Sequence, residues 1–164
     1  MKVDLIFSFL IILSLANAHY PESTELLFDK VIVSNQETKV NCRGRSERSS
    51  VYNNHKWTAK IPGASWIWKD TNRGDPMICR FSTEFYIYPG LDNALLEIAG
   101  DDRYITFVNK KNAYCSCHNS CWLNSNIKRC FVENLIGMGD NKMEILVKNE
   151  DGLAGLTFKL SLFY

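Results

Sequence analysis

The sequence predicts an all-β protein of two antiparallel sheets packed face to face, and three observations carry that prediction. Apolar and polar residues alternate in short runs from Phe81 to Tyr164, the period of a strand whose successive side chains leave opposite faces of the pleat. Turn residues punctuate the runs at Pro89-Gly90, Gly100-Asp101-Asp102 and Glu150-Asp151-Gly152, where proline, glycine and aspartate favour reversal of the chain. No long amphipathic helix, internal repeat or low-complexity tract breaks the pattern.

Residues 1–18 read as a secretory signal peptide. Lys2 gives a weak basic start, an apolar run over 5–15 is short for a bilayer span, and Ala16-Asn17-Ala18 offers a small-x-small cleavage site. Residues 19–164 then form a single domain, expected to be secreted and extracellular, with no membrane span after cleavage. Lys plus Arg number 19 against 18 Asp plus Glu. This near neutrality gives no basic face for phosphate neutralisation, so no nucleic-acid partner is expected. Arg43, Arg45, Arg48, Lys110 and Lys111 read as solvated loop charges.

The N-terminal third is the less regular part. Residues 26–33 and 38–41 are strand-like, whereas 42–54 is polar and rich in arginine and serine, which predicts an exposed loop without a core face. Residues 57–61 and 65–68 are short extended pieces around the Pro62-Gly63 turn, and 70–76 is another loop. A long strand over 78–88 carries Phe81, Thr83, Phe85 and Ile87 on one face, opposite Ser82 and Glu84. Strands over 94–99 and 104–109 follow, the second with Ile105 and Phe107 expected inward against Tyr104 and Thr106. Over 143–148, Met143, Ile145 and Val147 face the core. Over 155–163, Leu156, Phe158, Leu160 and Leu162 do so. Between them, residues 112–130 interrupt the rhythm and read as a disulfide-rich loop insertion with at most a short helical turn.

Cys42, Cys79, Cys115, Cys117, Cys121 and Cys130 form an even set behind an export signal, which predicts disulfides rather than free thiols. Pairing stays open, although clustering groups the last four into a local knot and leaves Cys42 to Cys79. Zinc ligation is set aside, because the Cys115-x-Cys117 spacing is too tight for a knuckle.

Four pieces in order carry a resemblance. They are Ala64-Ser65-Trp66-Ile67-Trp68, Phe81-Ser82-Thr83-Glu84-Phe85, residues 100–109 with Gly100-Asp101-Asp102-Arg103-Tyr104, and residues 139–147 leading to Ala154-Gly155-Leu156. Over residues 65–164 the chain resembles the galactose-binding-like β-sandwich, the jelly-roll module attached to many glycoside hydrolases. It departs from that pattern at Lys110, where glycine is usual, and in its cysteine-rich segment. The resemblance implies a jelly roll that binds sugars or braces a neighbouring domain.

Tryptophans are the candidate sugar contacts, because an indole face packs on the apolar C–H patch of a pyranose. Trp122 in the cysteine-rich segment, ringed by Tyr114, His118 and Asn124, is the first candidate surface, with Trp57 beside it; Trp66 is expected in the core. Asp101 and Asp102 read as an Asx-type turn, since adjacent carboxylates cannot flank a glycosidic bond. Calcium could be held at such a turn, but no EF-hand-like pattern supports it, so no cofactor is expected. Neither a Gly-x-Ser-x-Gly elbow nor a His-Glu-x-x-His motif occurs. The expected function is a secreted, non-catalytic carbohydrate-binding or adhesive module whose partner is a glycan or an extracellular protein. The alternative is a structural coat or matrix protein assembling through protein contacts.

Overall fold

A computed structural model of the chain describes residues 30–69 and 76–164. The leader expected over 1–18, the start of the strand expected over 26–33 and most of the 70–76 loop lie outside the described residues. In chain order the strands are β1 (Lys30–Val33), β2 (Lys39–Cys42), β3 (Arg45–Arg48), β4 (Ser50–Val51), β5 (Ile67–Trp68), β6 (Met77–Ile87), β7 (Asn93–Asp101), β8 (Arg103–Val108), β9 (Lys111–Cys117), β10 (Lys128–Phe131), β11 (Gly139–Asn149) and β12 (Gly155–Phe163). They form two six-stranded sheets. The first runs β10-β7-β12-β5-β4, with β1 also paired to β12, and the second runs β3-β2-β6-β11-β8-β9. All pairings are antiparallel. This is the jelly-roll sandwich that the alternation and the motifs predict.

The core lies between the sheets. Phe81, Phe85 and Ile87 of β6 and Met143, Ile145 and Val147 of β11 are buried, as are Leu96 and Ile98 of β7 and Leu156, Phe158, Leu160 and Leu162 of β12. Each such side chain removed from water contributes about 1.5–3 kcal/mol. β6 and β11 pair in unbroken register from Ile87↔Gly139 to Met77↔Asn149, which makes them the backbone of the second sheet. No helix among the described residues is long and apolar enough to cross a membrane.

Strand β8 runs in the opposite phase to the expectation. Tyr104 and Thr106 face inward with Val108, while Ile105 is 37% exposed. The tyrosine is accommodated because its hydroxyl donates to the Ile98 carbonyl at 3.1 Å, which offsets the cost of burying a phenol oxygen. Burial also raises the Tyr104 phenol above its ordinary pKa. The ring reaches this position over Gly100, where a Cβ would stand 2.9 Å from Tyr104 Cδ1.

The cysteine-rich segment is a loop over 118–127 and strand at both of its ends. It supplies β9 to one sheet and β10 to the other, with a 3-10 turn at Asn124–Asn126 between them. Its inward residues are cysteines, Cys115 and Cys117 on β9, so the strand carries no apolar alternation to read. The Cys115–Cys130 disulfide joins β9 to β10, and Cys117–Cys121 closes the turn after β9. Cys42–Cys79 links residues directly opposite on β2 and β6. The grouping by clustering is the one found, and no cysteine is free.

Two further expectations change. Within 42–54, Arg45–Arg48 pairs with β2 as the fully exposed strand β3, and Ser50–Val51 pairs with β5; edge position, not loop character, accounts for its polarity. Residues 57–61 join neither sheet, although Trp57, Ala59 and Ile61 alternate into the interior. The segment is held instead by the Ala59 N–H donating to the Trp122 carbonyl at 2.9 Å.

Candidate functional site

Two indole rings meet over the start of β12. Trp57 and Trp66 stack with centroids 4.5 Å apart and planes inclined by 22°. Both press on Gly155, where a Cβ would stand 2.7 Å from Trp57 Cη2 and 2.9 Å from Trp66 Cε3. The absence of a side chain there is what lets the rings reach the strand backbone. Each indole N–H is committed. Trp57 Nε1 donates to Asp101 Oδ2 at 2.8 Å, and Trp66 Nε1 donates to the Ala59 carbonyl at 3.1 Å. The pair is therefore fixed in orientation before any ligand arrives, as a preorganised site requires.

Trp57 stands between two hollows. The larger, about 1050 Å³, is lined by Trp57 and Trp66 together with Asn53, Asn54, His55, Lys60 and Asn124. The smaller, about 310 Å³, is lined by Trp57, Trp122, Asn54, Lys56, Asp101, Asp102 and Asp151. Asn54 borders both, and its amide nitrogen is buried with no acceptor among the described residues.

The smaller hollow is acidic. Asp101 is only 8% exposed, and burial, reinforced by its hydrogen bond with Asp102, pushes its pKa up to about 7. The Trp57 N–H pulls the other way, while the negative charges of Asp102 and Asp151 add to the rise. Asp102 Oδ2 accepts the Glu150 backbone N–H at 2.7 Å. The expected local Asx turn is thus replaced by two long-range bonds, one to an indole and one to the loop before β12. No group of three or more His, Cys, Asp or Glu side chains suited to a metal ion occurs among the described residues.

The predicted site residues are distributed unevenly. Trp57, at 6% exposure, lies buried where the two hollows meet, Asn124 lines the larger and Trp122 the smaller. Tyr114, 89% exposed on β9, and the exposed His118 line neither. Trp66 is half-buried in the stacked pair rather than in the core; the core tryptophan is Trp68, packed 5.4 Å from Phe81. Sequence reasoning missed Asp101 as the partner of Trp57, and Lys60 and His55 as lining groups. The signals were present in the inward alternation of Trp57, Ala59 and Ile61 without a strand partner, and in the glycine at the start of the last strand.

No family model and no curated protein matches this chain. Solved structures do. An α-L-rhamnosidase from Streptomyces avermitilis, solved with L-rhamnose, superposes with a TM-score of 0.55 at 20% identity, over 68% of this chain and 12% of its own. An FMN-binding β-glucuronidase from Faecalibacterium prausnitzii gives 0.51 at 15% identity, over 82% and 23%. A β-glucuronidase from Ruminococcus gnavus gives 0.50 at 11%, over 82% and 30%. The chain therefore spans between 12% and 30% of the length of these proteins. At these identities the likeness is one of fold: the shared part is an antiparallel β-sandwich.

Proposed function

We propose that this chain is a secreted, non-catalytic carbohydrate-binding module whose ligand seats in the larger hollow against the Trp57–Trp66 pair. The observation that carries the reading is that pair itself: stacked, backed by Gly155 and locked through both N–H groups beside a hollow of about 1050 Å³ with amide side chains around it. Apolar ring surface flanked by hydrogen-bonding amides suits a saccharide, which presents C–H patches and hydroxyls together. Asn124 belongs to this surface, and Trp122 extends it through the smaller hollow.

Non-catalytic action is supported by the state of the carboxylates. Asp101 and Asp102 are consecutive and accept bonds from Trp57 and Glu150, whereas glycoside hydrolysis needs two carboxyls on opposite sides of the bond. Three disulfides suit an oxidising, extracellular setting. The test is a glycan array followed by calorimetry. Trp66→Ala should lower affinity for any retained glycan by roughly tenfold or more with the fold unchanged by circular dichroism. Absence of retention on every glycan, with and without calcium, would sink the proposal.

One observation favours assembly as a second reading. Val31, Ser161, Leu95 and Phe131 form a cross-strand row on the outer face of the first sheet, where Val31 is 49% and Phe131 64% exposed. Such a face suits protein contacts of a coat or matrix. Light scattering decides it, since a stable oligomer without glycan affinity favours assembly.

A further inference from the structure

The donors and acceptors around the larger hollow are unbalanced. Asn54 Oδ1 already accepts the Lys56 N–H at 3.0 Å, Asn124 Oδ1 the Lys60 N–H at 3.4 Å, and Thr58 Oγ1 the Asn124 N–H at 3.1 Å. The amide nitrogen of Asn54 remains without an acceptor among the described residues. Lys60 and His55 bring further N–H groups to the rim, and among the described residues no carboxylate lines it. A sugar hydroxyl both donates and accepts, whereas an anionic group only accepts and so is matched by a rim of N–H donors without carboxylates. Here the carboxylates are segregated behind Trp57, where Asp101, Asp102 and Asp151 line the smaller hollow.

Resting on the carbohydrate-binding reading above, we infer that the larger hollow selects anionic saccharides, its ligand's acid group meeting Lys60 at the rim while a ring face lies on the tryptophan pair. The acidic smaller hollow repels the same group and so fixes which way round the sugar lies. A carboxylate and a sulfate ester present the same chemistry, a compact anion with several acceptor oxygens.

The experiment is calorimetry on the intact chain at physiological salt with three probes: trigalacturonate, a sulfated trisaccharide and neutral galactotriose. The inference expects at least one anionic probe to bind roughly tenfold more tightly than the neutral one, the loss of a charge-assisted bond being of that order. The better anion identifies the acid group. Lys60→Ala should remove most of that preference, whereas Lys111→Ala, exposed on β9 and lining neither hollow, should leave it intact. Equal losses in both variants would mean diffuse charge attraction and overturn the inference. Equal affinity for galactotriose also overturns it while leaving the carbohydrate reading standing, and no binding of any saccharide removes both.

Discussion

Asp101 sits where its charge is costly, and the cost sets a pH dependence. Its folded pKa of about 7 lies above the ordinary 3.8, so the folded chain keeps a proton that the unfolded chain has already released. Stability from this group is therefore greatest at acid pH and falls as pH rises through that interval. Asp101→Asn removes the ionisation and retains an acceptor for the Trp57 N–H. Its melting temperature should gain on the wild type between pH 4 and 8, and a constant difference across that range would contradict the assignment. Gly155 makes a second residue-level prediction. A methyl group at 155 meets both indoles below 3 Å, so Gly155→Ala should cost about 1–3 kcal/mol by overpacking and weaken glycan binding, read by denaturant melts and calorimetry.

At the level of elements, β8 and the cysteine-rich strands respond in ways that distinguish the observed arrangement from the expected one. Tyr104→Ala should destabilise by about 3–5 kcal/mol, as loss of a buried aromatic does, and Ile105→Ser by no more than about 0.5 kcal/mol; the expected phase reverses that order in a urea melt. Replacing Cys115 and Cys130 together by serine should cost roughly 2–4 kcal/mol. β6, β11 and β12 were legible because most of their inward positions are apolar at alternate residues. β8 was not, since Tyr104 and Thr106 read as polar while one is satisfied by the Ile98 carbonyl and both are buried. β9 and β10 were hidden because edge strands carry few core side chains, and here cysteines take those places. For the site, tryptophans could be nominated from sequence, but the contact that orients Trp57 joins residues 44 positions apart and has no local signature.

Across the whole molecule, the stacked tryptophans and both hollows lie where β7 ends and β12 begins, while the apolar row of Val31, Leu95 and Phe131 lies on the outer face of the first sheet. The two proposed roles, glycan binding and assembly, thus rest on separable surfaces. Phe131→Lys should abolish any self-association seen by light scattering and leave affinity for glycan unchanged; loss of both would mean that the surfaces are coupled. The bridge between β9 and β10 has one more consequence. Each of those strands ends a sheet, and an edge offers unpaired backbone groups to neighbouring chains. Recombinant synthesis in a reducing cytosol leaves the two margins untethered, so inclusion bodies are the expected product there, and routing the same gene through an oxidising compartment is the expected remedy.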